Sequence, residues 1–272
     1  MHSDYIVNFF YKLLMSKLAH EDKFLDLSDY GRPFGRFLAK LLQPTIFTPV
    51  HVTLLFGISG LIACYCILNN HYFFAAFFII LKSGIDAADG ELARLKNKPS
   101  YIGRYLDSVF DIILNFLLLL SIFKVSDIAI YWVLLAFICL QLQGTLYNYY
   151  YLILRHSSVG GDKTSNIFEN AATIALHGES QIIVNLLFNI YTVVYGIFDK
   201  IIHILDPNAY KIKTFPNWFM SLLSVYGLGF QLLIIAIMLS FGLINYIIPF
   251  LIIFSILIPV LIIIRRMIFK EN

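Results

Sequence analysis

Apolar residues run in blocks of about twenty through most of this chain, separated by short polar turns. A hydrocarbon layer about 30 Å thick takes on the order of 20 apolar residues per helical crossing. Six stretches meet that length: 50–68, 72–94, 103–123, 128–154, 218–241 and 243–264. Asn69-Asn70-His71, residues 124–127 and residues 240–245 join them in pairs. The pattern therefore predicts three helical hairpins.

Two further segments are patterned for a membrane surface. Ile6, Phe9, Phe10, Leu13, Leu14 and Leu18 recur at helical spacing, while Asp4, Lys12 and Lys17 break the run a signal peptide would need. Between 181 and 205, Asn185, Asn189, Thr192, Gly196, Asp199 and His203 fall in steps of three and four, which draws a polar stripe along one helix. A seventh crossing there would send Arg265 and Arg266 to the opposite side, so 181–205 is expected to lie in the interface. With six crossings, 18 of the 20 Lys and Arg residues share one side, and Lys124 stands alone on the other. The positive-inside tendency makes the crowded side cytoplasmic.

The fold class expected is thus all-α, a polytopic membrane protein with six spans plus interfacial helices at the N-terminus and at 181–205. It forms one integral membrane domain over 1–272. Within it we expect a cytoplasmic or interfacial segment (1–49), a four-helix catalytic part (50–154), a cytoplasmic or interfacial connection (155–217), and two last spans with a tail (218–272). The bacterial inner membrane, with the active site toward the cytoplasm, is the setting expected.

Composition narrows the function classes. Of 272 residues, 59% are hydrophobic and 14% charged, against roughly 25% charged in soluble domains. That excludes a soluble enzyme and a disordered chain. A net charge of +3 is too small for a polyanion, so no nucleic-acid partner is expected. Cys64, Cys66 and Cys139 lie inside apolar runs and read as packing residues.

Four acids stand where lipid-facing residues belong: Asp86, Asp89, Asp107 and Asp111. Each costs about 3 kcal/mol near the middle of a spanning helix, or roughly 12 kcal/mol together. They must face the protein interior. Asp86 and Asp89 share one helix face and Asp107 and Asp111 another, and an antiparallel hairpin aims all four into one cleft. Convergent carboxylates either hold protons or neutralise divalent cations. An all-oxygen set suits hard ions such as Mg²⁺, Mn²⁺ or Ca²⁺. Gly90 and Ala93 leave room for a ligand against the helix, and Arg94 can fork onto a phosphate.

The string Asp86-Ala-Ala-Asp89-Gly90-Glu-Leu-Ala93-Arg94, then Gly103, Asp107 and Asp111 at fixed spacing, resembles the signature of the CDP-alcohol phosphatidyltransferase family at all eight of its specified positions. Thr48-Pro49-Val50-His51-Val52-Thr53 is similar to the family's Pro-Asn-x-x-Thr motif, with Val50 in place of the Asn. The resemblance implies transfer of a phosphatidyl or substituted phosphoryl group from a CDP-alcohol to an acceptor alcohol, with release of CMP. It implies that Asp86, Asp89, Asp107 and Asp111 bind Mg²⁺ or Mn²⁺, as a pair of ions, and that Asp111 is alternatively the catalytic base. It places Gly90, Ala93, Arg94 and Gly103 against CDP, with membrane lipids and a second copy of the chain, as a homodimer, for partners. CDP-diacylglycerol is the expected donor. The reversed polarity, CDP-choline or CDP-ethanolamine with diacylglycerol as acceptor, shares the same motif. A cation transporter would use the acids but leave Gly90, Ala93 and Arg94 without a role. For the acceptor, Arg155, His156 and Lys163 with the Gly160-Gly161-Asp162-Lys163-Thr164-Ser165 turn are candidates, set against a plain glycine turn capped by Asn166 and Glu169.

Overall fold

The computed structural model describes residue 18 and residues 22–158, 171–212 and 214–268. The amphipathic N-terminal stretch through Lys17, and the 160–165 turn with Lys163, lie outside the described residues. Among those described, the secondary structure is helical without a strand. In chain order we label α1 (Arg32–Leu42), α2 (Pro49–Leu68), α3 (Tyr72–Leu95), α4 (Tyr101–Val125), α5 (Ile130–Ser157), α6 (Gln181–Leu205), α7 (Asn217–Leu223), α8 (Leu228–Ser240), α9 (Ile244–Phe254) and α10 (Leu257–Ile268).

Local chemistry sets the boundaries around the acids. Thr48 caps α2 through a reciprocal box in which the His51 N–H donates to its hydroxyl and the Thr48 N–H donates to His51 Nδ1. After α3 the chain turns at Asn97, whose φ of 51° is a left-handed conformation that Asn tolerates. Ser100 then caps α4 by accepting the Gly103 N–H at 2.8 Å.

α2 and α3 run antiparallel along their whole length, with Thr53 against Asp89 at one end and the Ser59 hydroxyl donating to the Phe78 carbonyl further along. Small residues bring α1 onto α3: a Cβ at Gly35 would stand 2.8 Å from Ala87, and one at Gly31 would stand 2.8 Å from the Ser83 carbonyl. One buried core, away from the acids, joins Ala63, Ile67, Ile79, Leu119, Leu140 and Ile247. A second, at the acid-bearing end, joins Phe24, Tyr150, Phe219 and Leu261. The three cysteines are buried and free, as packing residues should be.

Among the described residues, five apolar stretches are long enough to cross a membrane: α2, α4, α5, α6 and Ile244–Ile268, which contains α9 and α10. The bent α7–α8 pair makes a sixth. The chain is an integral membrane protein. Six matches the expected number, but the membership differs. α3 is too charged to stand among them, since any membrane-length window of it holds at least three charges from Lys82, Asp86, Asp89, Glu91 and Arg94, although it reaches as far as α2. α6 is long and apolar enough, yet its neighbours confine it to one end. It passes from Tyr105 and Ser108 of α4 to Tyr149 of α5, all within about three turns of the acid-bearing ends of those helices. Its far face exposes Ile182, Leu186, Val193 and Ile197. Beyond α6, Asp206 is fully buried and accepts hydrogen bonds from Tyr150 and Arg265, tying the connection to α5 and α10.

The last two predicted spans are each broken rather than continuous. α7 and α8 meet at 51° around Gly227, where the backbone at Ser28 packs so closely that a Cβ at Gly229 would stand 1.9 Å from the Ser28 carbonyl. α9 stops ahead of Pro259, which has no N–H to return to the helix. The freed carbonyls find side-chain donors: Tyr226 reaches Phe254 at 2.6 Å and Gln143 reaches Leu251 at 2.9 Å.

Candidate active site

Two consecutive helices bring the acids together. Asp86 and Asp89 project from one face of α3 and Asp107 from the first turns of α4, and one carboxylate oxygen from each lies within 4.8 Å of the others. Oxygens bound to one hard ion at 2.0–2.6 Å stand no more than about 4–5 Å apart, so the trio has the span of a coordination shell. Asp107 Oδ1 is buried without a hydrogen-bond partner, and a bare carboxylate oxygen in that position is what a cation would satisfy. Asp89 Oδ2 accepts from the Thr53 hydroxyl at 2.9 Å, which fixes its rotamer.

Asp111 does not join that trio. It sits one turn deeper on α4, and Lys82, one turn deeper than Asp86 on α3, reaches its Oδ1 at 2.5 Å. Lys82 is buried, with its ammonium 5.1 Å from the centre of the Phe56 ring. Four carboxylates were expected to converge. Three do, and the fourth has its charge met by a lysine.

Gly90, Ala93, Arg94 and Gly103, the residues expected at CDP, line one cleft of about 420 Å³ that Asp89 and Asp107 also reach. The two glycines differ in origin. A Cβ on Gly103 would press on the Ser100 side chain at 3.2 Å, so the helix cap itself crowds that position. A Cβ on Gly90 would meet nothing closer than the Arg94 guanidinium at 3.7 Å. No protein neighbour requires glycine at 90, and the space it leaves belongs to the cleft. Arg94 is half exposed and paired with Glu91 at 3.0 Å. Val50, where the family motif has Asn, has a side-chain carbon 3.8 Å from where a Cβ on Gly103 would stand.

A second cavity of about 300 Å³ touches Asp86, Asp89 and Asp107 from the side of Ser28 and Asp29. A third, of about 280 Å³, opens at Asp111 and is roofed by Tyr191, Tyr195 and Asp199 of α6. Arg155 and His156 line none of the three.

Sequence reasoning passed over three residues of this region. Thr53 belonged to a motif with no contact assigned to it. Lys82, one turn before Asp86 in an otherwise apolar stretch, carried the signal that any charge at membrane depth carries. Arg104, counted only for topology, lines the cleft with its guanidinium 4.5 Å from the centre of the Tyr105 ring.

No curated protein and no solved structure matches the chain. A family model does: CDP-alcohol phosphatidyltransferase, over residues 44–205. That segment is well over half of the chain and contains the three gathered carboxylates, the cleft that two of them reach and α6, so this membrane protein belongs to the CDP-alcohol phosphatidyltransferase family of transferases.

Proposed function

We propose that the protein transfers the phosphatidyl group of CDP-diacylglycerol to a polar alcohol and releases CMP. The observation that carries this reading is the adjacency of the Asp86–Asp89–Asp107 trio to a cleft lined by Gly90, Ala93, Arg94 and Gly103.

Asp86, Asp89 and Asp107 would hold Mg²⁺ or Mn²⁺, which when bound neutralises diphosphate charge and stabilises the departing CMP. Gly90 admits the nucleotide close to the α3 backbone, and Arg94 and Arg104 border the same space with charge-assisted donors suited to phosphate. Lys82 fixes Oδ1 of Asp111 and leaves Oδ2 for the incoming hydroxyl. In the reaction a bond forms between the acceptor oxygen and the lipid-bearing phosphorus. The bond from that phosphorus to the CMP oxygen breaks, and the hydroxyl proton passes to Asp111. The concentration of Lys and Arg at the acid-bearing side supports a cytoplasmic active site.

The test is CMP release by purified protein from CDP-diacylglycerol and a set of acceptor alcohols, with and without Mg²⁺ or Mn²⁺. Activity should require the ion and vanish in Asp107→Asn. Asp111→Asn should abolish turnover while still binding the CDP-lipid. Full activity in Asp111→Asn removes Asp111 from the role of base, and release only from CDP-choline or CDP-ethanolamine reverses the donor polarity.

A further inference from the structure

We propose that the cavity beside Asp111 is the acceptor subsite and that it selects an uncharged polyol, an alcohol with several hydroxyls and no phosphate. The proposal rests on the phosphatidyl-transfer reading and specifies its second substrate.

Position comes first. Asp107 reaches the nucleotide cleft and Asp111 reaches this cavity, four residues and about 6 Å apart along α4. A hydroxyl held in the cavity therefore meets the base on the deeper side of the ion-binding trio, while the diphosphate occupies the shallower side. The 300 Å³ chamber near Asp29 touches the trio but not Asp111, so it does not offer the same approach.

Chemistry comes second. Ser108, Asn115, Gln141, Thr145, Asn148 and Gln231 supply hydroxyls and amides to the wall. Among the described lining residues none is Lys, Arg or His. A phosphorylated alcohol would enter with no charge-assisted donor to receive its phosphate and with Asp199 facing it. A diacylglycerol would set its acyl glycerol against amides.

Two buried amide atoms identify what is missing. Gln231, 1% exposed, donates its Nε2 to Gln143 Oε1 at 2.6 Å. Gln143 is itself pinned through donation to the Leu251 carbonyl and the Ser255 hydroxyl. That chain fixes the orientation of the Gln231 amide, and its Oε1 has no partner. Gln141, 5% exposed, has an Nε2 with no partner. The residues lining the cavity thus include an unused acceptor and an unused donor, each of which is costly to leave buried. A hydroxyl donates to the first and accepts from the second, whereas a quaternary or protonated amine cannot accept from Gln141. Tyr191 and Tyr195, stacked at 5.3 Å, close the cavity with flat faces suited to the C–H side of a small polyol. At about 30 Å³ per water, the volume holds roughly nine waters, enough for a compact polyol.

The experiment supplies the full-length protein, in nanodiscs with Mn²⁺ and CDP-diacylglycerol, with glycerol, myo-inositol, their monophosphates, ethanolamine or choline in separate reactions. CMP release and labelled lipid product are measured. One of the free polyols should be used with kcat/KM at least about 100-fold above its phosphate and above both amino alcohols. A preference for a phosphate ester or an amino alcohol overturns the proposal and leaves the transfer reading intact. No CMP release from any CDP-linked donor sinks the transfer reading and the acceptor proposal with it. Gln141→Leu should raise KM for the polyol about tenfold or more, with the KM for CDP-diacylglycerol unchanged. A polyol KM equal to wild type in that variant overturns the placement. If the variant does not fold, the acceptor comparison on the unmodified protein still decides.

Discussion

Replacing Lys82 by Met should destabilise the protein by about 3–5 kcal/mol, and replacing Asp111 by Leu in the same chain should restore most of the loss. The Lys82 side chain is 4% exposed, that of Asp111 is 14% exposed, and their charged atoms stand 2.5 Å apart. At that distance the attraction is about 6–7 kcal/mol for an effective dielectric near 20. Removing the two ions from water costs several kcal/mol each, so the pair as a whole is close to neutral in stability. Deleting only the lysine leaves the carboxylate's desolvation unopposed. Methionine fills much of the lysine stem's volume and suits the Phe56 ring, which keeps a packing defect small. The assay is a melting curve in detergent, where the single variant should fall on the order of 10 °C below wild type. The double variant should return close to wild type, and both should be inactive. Melting of Lys82→Met within about 1 °C of wild type would refute the pairing, since even 1 kcal/mol shifts a chain of this size by more than that. The same curves report on cation binding: Mn²⁺ should raise the melting temperature of Lys82→Met more than that of wild type, because the ammonium that opposes a cation beside Asp86, Asp107 and Asp111 is gone.

Other perturbations separate packing from binding. Gly90→Val should melt like wild type, because open cleft surrounds that position, while raising KM for the CDP donor at least about tenfold by occupying nucleotide space. An unchanged donor KM would remove Gly90 from the binding surface. Gly35→Ala should do the opposite, lowering stability by about 1–3 kcal/mol as the new methyl meets the Ala87 backbone 2.8 Å away. Asp26, buried and accepting from Ser28 and Tyr147, has its carboxyl pKa pushed up by desolvation. Because the folded state holds that proton more tightly than the unfolded state, the ionised form costs stability above the raised pKa, and the cost shrinks as pH falls below that pKa and is gone below the pKa of the unfolded carboxyl. Asp26→Asn should therefore melt above wild type in mildly alkaline buffer and converge with it on acidification. Parallel curves across that range would show that Asp26 is not desolvated.

How much of this was legible in the sequence depends on how far apart the cooperating residues lie along the chain. The trio needs only one hairpin. Asp86 and Asp89 share a helix face by spacing, Asp107 follows after a short turn, and the cost of an acid in lipid dictates that all three turn inward. The fate of Asp111 was not legible, because spacing shows that Lys82 and Asp111 lie at similar depth on neighbouring helices but not that their rotamers meet. Helix breaks were visible only in part. Pro259 is a breaker on its face, but the bend at Gly227 depends on Ser28, about two hundred positions earlier, packing against it. The cavity beside Asp111 is furthest from local pattern. Ser108, Gln141, Tyr195 and Gln231 come from α4, α5, α6 and α8, and each has an ordinary explanation within its own helix. Only the crossing of α6 over the ends of α4 and α5 makes them one wall. The residues that match the family motif are therefore written in contiguous sequence on α3 and α4. On the proposed reading, acceptor choice is distributed over four helices, where it can change through single side chains without disturbing the carboxylate trio.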